Sequence, residues 1–478
     1  MPSTVQKLGL WSGVGLVMAD MVGTGVLTTA GFMAHDLSPV HILLDWLVGG
    51  LVALAGALAY ASLARQVPRS GGEYRYLSSL LHPSAGYLAG WTSLLVGFSV
   101  PVALAALAAG AFGETLFPDI DARWSAAGFI ILIGAAHATN LRTSQWTQNI
   151  LAAVKALLIA GFILLGLSYG TNALPHWSPP AESTGFPTVP FFTSLIFIAF
   201  CYSGWNAATY ASEDFAHPRR DVPRAMIIGC LLVTGIYMLV NWVFVTNLSK
   251  SDMTSWIKGD TDRITLAHLV VQNLMGTNAA KAVSVVVIIA LLSALSAMTL
   301  IGPRVYASMA RDHFLPRILA DREGKPPVGS VVLQCLLAVS LVFLSGFREM
   351  LNNVGSILAV VSAVTVLSLF RRKRWRKGEH PPVSSLVGAV VFSGMSAWMV
   401  IFAVRASRTI GVAGVELPTV ILWMVGIVVV AMVAFALTRR VRPDAGAPKR
   451  RRETDRSTED WAPRRRGGST LPPAPAGT

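Results

Sequence analysis

Met18-Ala19-Asp20-Met21-Val22-Gly23-Thr24-Gly25-Val26-Leu27-Thr28 sits in the middle of the first long apolar stretch of the chain, residues 9–33. A helix of roughly 17 to 25 apolar residues crosses a hydrocarbon core about 30 Å thick, so the stretch is long enough to span a membrane. Its centre nevertheless argues against an unbroken helix. Two glycines so close weaken a helix by roughly 1 kcal/mol each relative to alanine, and Asp20 puts a carboxyl beside them. A cleaved leader would need a strongly basic start and an uninterrupted apolar centre. Neither is present, so a retained helix broken at Gly23-Thr24-Gly25 is expected.

The rest of the chain sets that stretch in context. Of 478 residues, 53% are hydrophobic and only 13% charged, with a mean hydropathy of +0.56, whereas soluble domains are about a quarter charged. Apolar stretches recur near 9–33, 40–64, 84–113, 124–140, 147–169, 189–211, 224–246, 281–302, 328–346, 352–370, 384–404 and 416–437. The expectation is an all-α polytopic membrane protein of about twelve transmembrane helices. Cys201, Cys230 and Cys335 all fall inside apolar stretches without metal-ligand spacing, which fits packing; no metal and no cofactor are expected. The net charge of +14 lies between spans and in the tail, with no binding module around it, so nucleic acid is not an expected partner.

Basic residues fix the expected direction. With a cytoplasmic amino terminus, 1–8, the loops holding Arg65, Arg69 and Arg75, then Arg142, then Arg219 and Arg220, then Arg304 to Lys325, then the basic loop 371–383 all fall inside. The segments 114–123 and 247–265 then face out. The carboxyl terminus returns to the cytoplasm after two further spans at 384–438. Residues 439–478 hold eleven Lys/Arg against five Asp/Glu, with much Pro and Gly; such a tail is expected to be disordered and drawn to anionic lipid.

A second interruption, Tyr202-Ser203-Gly204-Trp205-Asn206, breaks the stretch 189–211, about 180 residues after the first. Each opens a set of five spans. An inverted repeat of five plus five helices over 9–370 has that placement, with the last two spans added. Unwound helices at the midplane offer free N–H and C=O groups to solutes and ions, although glycines also serve close helix packing. The correspondence of the two positions favours a site.

At these residues the chain resembles the amino acid–polyamine–organocation superfamily. The matching segments are Met21-Val22-Gly23-Thr24-Gly25-Val26-Leu27, Pro68-Arg69-Ser70-Gly71-Gly72-Glu73-Tyr74, and Tyr202-Ser203-Gly204-Trp205 running on to Glu213. Two more are His217-Pro218-Arg219-Arg220-Asp221-Val222-Pro223-Arg224, and Arg304-Val305-Tyr306 to Ala310-Arg311-Asp312. The resemblance implies secondary transport of amino acids or related amines, without covalent chemistry, by a cell-membrane permease. It places the substrate between the two broken helices. The N–H groups of Gly23, Thr24 and Gly25 at a helix amino end suit a carboxylate, with the Thr24 hydroxyl as a further donor. The carbonyls of Met21, Val22, Phe200 and Cys201 and the hydroxyl of Ser203 are expected around the substrate ammonium. Gly204 continues the break, Trp205 stands where the family has a bulky residue covering the bound side chain, and Asn206 is expected to orient polar groups nearby.

Charges at membrane depth cost about 2.5 to 3.5 kcal/mol on insertion scales and are usually functional or paired. Lys155 lies in the fifth span, where proton-linked and exchanging members of the family carry a lysine in place of a sodium ion. It is expected to bridge the first helix to the fifth and eighth, and to exchange a proton during a cycle, act as a fixed cation that holds helices together, or snorkel to the headgroups. Ser293 and Ser296 are candidate partners of its ammonium, although serines commonly bond their own helix. Asp20, where many family members carry asparagine, is expected to favour a cationic substrate, take a proton or pair with another helix. Asp45 is expected near water at the outer surface, Glu213 near arginines of the inner loops, and His137 without a partner.

Proton-coupled symport of an amino acid is the expected activity, with protons and the lipid bilayer as partners. An amino acid or polyamine exchanger shares the same fold and lysine. A sensor that binds without moving its solute is the alternative from another class. An intramembrane enzyme would need a convergent acid, base or nucleophile set and a channel a continuous polar stripe; the sequence has neither. It sets no oligomeric state.

Overall fold

Every expected apolar stretch is occupied by a helix. A computed structural model describes residues 7–34, 36–139, 141–175, 185–248, 264–311, 314–320, 326–371, 380–412 and 415–441; the tail beyond 441 and most of the basic loop lie outside them. Among the described residues seven helices are long and apolar enough to cross a membrane, or eight when the bent pair at the amino end counts as one span. In hydrocarbon only structures that pair their own backbone groups are viable, which is why long apolar stretches become helices there.

The first pair is α1 (Leu10–Met21) and α2 (Thr24–Ala34), whose axes differ by 40°. The glycine pair therefore does break the helix, but the break sits one step earlier than expected. Val22 and Gly23 are its non-helical residues, and Thr24 and Gly25 already form the first turn of α2. Next come α3 (Pro39–Gln66), α4 (Gly72–Leu80) and α5 (Pro83–Thr92), the last running through a π-helical turn, Ser93–Phe98, into α6 (Ser99–Glu114). Proline opens α3 and α5 at positions where its missing N–H costs nothing. Then follow α7 (Ala122–Thr139) and α8 (Leu141–Tyr169).

The second interruption is equally clear. Helix α9 (Thr188–Cys201) stops, Tyr202–Asn206 form turns, and α10 (Ala207–Tyr210) resumes for a single turn. Beyond lie α11 (Pro218–Thr246), α12 (Leu266–Met275), α13 (Thr277–Arg311), α14 (Val328–Leu344), α15 (Phe347–Leu367), α16 (Val383–Ala406) and α17 (Thr419–Val441). The sequence reading did not anticipate α4, α12, the π turn or an antiparallel hairpin, Thr409–Val412 with Val415–Pro418. Each is too short to stand out by apolar length.

The broken helices α2 and α9 pack on each other, and the long unbroken helices surround them. α3 lies along α11 and α16, α6 against α7 and α13, and α1 against α11. Small residues permit this: Ser99 through Phe112 of α6 are buried all round, so helices approach closely without leaving polar groups exposed. α16 is fastened to α3 by the Ser385 hydroxyl, 2.8 Å from Ser62 Oγ and donating to the Leu58 carbonyl at 2.7 Å.

Two expectations fail here. Asp45 does not reach water: it is 0% exposed on α3, which is covered by α9, α11 and α16, and both its carboxyl oxygens lack partners among the described residues. His137 is not isolated, because α7 packs on α13 and brings Nε2 within 2.8 Å of Ser296 Oγ. Glu213 is exposed and its side chain forms no ion pair among the described residues. Instead its backbone is used, the carbonyl accepting from Lys7 Nζ at 2.9 Å and the N–H donating to Ser70 Oγ at 3.0 Å.

Gly204 makes the second break possible. Its φ of +102° is a conformation that side chains disfavour, and a Cβ there would stand 2.7 Å from Asp20 Oδ2 and 3.0 Å from Met21 N. Gly204→Ala is therefore expected to destabilise the protein by more than about 1 kcal/mol, read as a lower melting temperature of the purified protein in detergent.

Candidate functional site

The end of α1 and the start of α2 lie edge to edge with the end of α9. Because α1 stops at Met21, its last carbonyls lose their helical partners, and because α2 starts at Thr24, its first N–H groups lack acceptors within the helix. Side chains from elsewhere satisfy the carbonyls. Lys155 Nζ, on the 4%-exposed Lys155 of α8, donates to the Ala19 carbonyl at 2.8 Å and to Val22 at 2.5 Å. Tyr237 of α11 places its hydroxyl 2.6 Å from the Met21 carbonyl and 2.9 Å from that of Cys201, so one side chain ties both breaks together. The Phe200 carbonyl accepts from Ser203 Oγ at 2.6 Å and from its N–H at 2.9 Å.

The N–H end of α2 is different. Its first turn is held from below by Thr28, which donates to the Thr24 carbonyl at 3.0 Å, and Thr29, which donates to that of Gly25 at 2.6 Å. Thr24 and Gly25, in the first turn of α2, have no acceptor within their own helix for their N–H groups. They line a cavity with roughly 410 Å³ of empty space, together with Ala19, Asp20, Met21, Gly23, Phe200, Cys201, Ser203, Pro101 and residues of α13.

Most of the residues expected around a substrate thus meet in one place. Val22 does not line the cavity, because its carbonyl is turned to Lys155. Gly204, Trp205 and Asn206 line an adjoining cavity of roughly 660 Å³, which shares Asp20, Pro101, Ser203 and Met298 with the first. Trp205 is packed edge-on against Tyr60, with ring centroids 4.6 Å apart, and against Phe392 at 5.9 Å. Asn206 Nδ2 donates to Glu73 Oε1 at 2.5 Å.

Lys155 occupies the bridging position between α8 and α1, but the two serines of α13 do not serve it. Ser296 is taken by His137, and Ser293 Oγ is buried with no partner among the described residues. Asp20 lies near enough to Lys155 for their charges to attract without forming an ion pair. Its Oδ1 is buried with no hydrogen-bond partner, alone in that respect among the described side chains lining the first cavity.

Two residues at the site escaped the sequence reading. Tyr237 had only one weak signal, a hydroxyl in an otherwise apolar span. Glu73 belonged to a quoted motif but received no role; it is 5% exposed and accepts from Tyr60, Asn206 and Tyr210.

The helical bundle and a small-molecule cavity at two paired helix breaks define a polytopic membrane transporter. The sequence profile of the amino acid permease family matches residues 8–437, and the chain belongs to that family. Its function is accordingly amino acid transport across a membrane, not enzymatic catalysis. The chain is 26% identical over 414 residues to the mouse large neutral amino acids transporter small subunit 2, covering 83% of this chain and 76% of that protein. It is 29% identical over 263 residues to the human b(0,+)-type amino acid transporter 1, covering 52% and 53%. To the mouse Asc-type amino acid transporter 1 it is 24% identical over 418 residues, covering 83% and 76%.

The two glycines of the first break differ in the room around them. A Cβ on Gly25 would overlap Cys201 Sγ and lie 2.9 Å from its Cβ, whereas one on Gly23 would meet nothing nearer than 3.8 Å. Gly25→Ala is expected to lower the melting temperature by several degrees, because α2 must move away from α9. Gly23→Ala should leave it within about a degree of wild type, with thermal unfolding as the measurement.

Proposed function

We propose that the chain carries α-amino acids by alternating access, taking the substrate carboxylate on the N–H groups of Thr24 and Gly25 and its ammonium on Asp20. The observation that carries this reading is that the start of α2, whose first N–H groups have no acceptor within the helix, and Asp20 Oδ1, a buried acceptor without a donor, line one cavity. The carbonyls of Met21 and Cys201 share the one hydroxyl proton of Tyr237, and that of Phe200 already accepts twice from Ser203, so Asp20 is the acceptor offered to the ammonium. The positive end of the α2 dipole adds to the attraction for the carboxylate.

The architecture behind this is about twelve spans, five plus five in an inverted repeat and two more. In its support, the broken pair α1–α2 is followed by α3, α5–α6, α7 and α8, and the broken pair α9–α10 by α11, α13, α14 and α15, before α16 and α17. Both termini then lie in the cytoplasm of a cell that carries the protein in its plasma or inner membrane, with the basic loops inside. α1 and the segment after α10 move as one body, since Leu8 N–H donates to the Asp214 carbonyl at 2.8 Å and Ala216 N–H to that of Leu8 at 3.0 Å.

Lys155 couples this movement to protons. Two of its three N–H donors hold one carbonyl of α1 and one of the break that follows it, so the third proton can leave while both bonds remain. Symport follows if that proton travels with the substrate; if Lys155 keeps it throughout, the same site works as an exchanger. In liposomes, a pH gradient alone should drive uptake by the wild type. Lys155→Ala should abolish that uptake and retain measurable substrate binding. Uptake that needs internal amino acid and ignores pH would establish exchange, and undiminished pH-driven uptake by the variant would remove Lys155 from coupling.

A further inference from the structure

Glu73 is a buried carboxyl on the wall of the second cavity, and the transport cycle proposed above leaves it unused. It stands in the first turn of α4, and three elements converge on it. Tyr60 of α3 donates its hydroxyl to Oε1 at 2.9 Å, Asn206 of the second break donates Nδ2 to the same oxygen at 2.5 Å, and Tyr210 of α10 donates to Oε2 at 2.7 Å. A carboxylate has about four acceptor positions, so one on Oε2 is unclaimed. Glu73 and Asp20 both line this cavity of roughly 660 Å³, and no Lys, Arg or His does so among the described residues. Besides the two carboxyls the wall combines apolar Phe98, Pro101, Met298, Leu358 and Val361 with hydroxyls such as those of Thr92, Ser93 and Ser362, and it includes Ser93, Gly97 and Phe98 of the π-helical turn. π turns are frequent at functional sites.

A long side chain with a cationic tip requires apolar surface for its methylenes and an acceptor for its charge, and this cavity offers Pro101, Met298, Leu358 and Val361 for the first and Glu73 for the second. The first cavity shares Asp20 and Ser203 with the second, so a substrate held at the α2 end can extend its side chain toward Glu73.

We propose that this second cavity is the side-chain subsite, that Glu73 sets its specificity, and that the preferred substrates are amino acids with an aliphatic chain ending in an amine or guanidinium. This rests on the α-amino acid reading above, which it narrows.

Lysine and norleucine test it, because they differ only in the terminal amine. Equilibrium binding of each to the purified full chain is expected to show lysine at least tenfold tighter, the factor a lost charge-assisted hydrogen bond typically produces. Glu73→Gln keeps the size of the side chain and should shrink the lysine-to-norleucine ratio by about tenfold. Glu73→Asp keeps the charge and should restore most of it. The ratio is the decisive reading, since a purely structural role would weaken both ligands together. Equal affinities in the wild type, or an unchanged ratio in Glu73→Gln, would overturn the subsite while leaving amino acid binding in place. If Glu73→Gln does not fold, the wild-type ratio and Glu73→Asp still decide. Failure of the wild type to bind either ligand would overturn both the subsite and the α-amino acid reading.

Discussion

An unpaired backbone group in hydrocarbon costs several kcal/mol, and the structure is organised around two places where the chain accepts that cost. Interrupting a spanning helix frees carbonyls at one end and N–H groups at the other. The carbonyl ends are closed by side chains from distant elements, Lys155 for Ala19 and Val22, and Tyr237 for Met21 and Cys201. The N–H end of α2 and the Asp20 carboxyl line the same cavity, and it is on this asymmetry that the proposed direction of the site rests.

The same fastenings bear on how the protein moves. Tyr237 joins both breaks to α11, and Lys155 joins α1 to α8, so the broken helices cannot shift without exchanging these contacts. At the other end of the second cavity, Glu73 gathers donors from α3, the second break and α10. Polar groups satisfied in one arrangement and redistributed in another are the kind of discrete contact on which two-state transitions depend.

Much of this was legible in the sequence, and the remainder was hidden for a definite reason. Apolar length located the helices, and the paired glycines located the breaks, because both are local properties of the chain. Motif order led to the family that the profile match shows. What local reading missed was set by distant packing. Tyr237 meets Met21 from 216 residues away and Glu73 meets Asn206 from 133, and no periodicity marks either. Asp45 and His137 were misjudged for the same reason, since their burial depends on which helices cover them rather than on their position along a span. Ser296 was a plausible partner for Lys155 by helix register, but α7 reached it first with His137.

The central claim is that the paired breaks read both ends of an α-amino acid, the carboxylate at Thr24 and Gly25 and the ammonium at Asp20. Isothermal titration of the purified protein with one transported amino acid, its methyl ester and its deaminated acid tests this most directly. Binding of the amino acid with at least tenfold weaker binding of both analogues is the predicted result. An ester or a deaminated acid bound as tightly as the parent would contradict it.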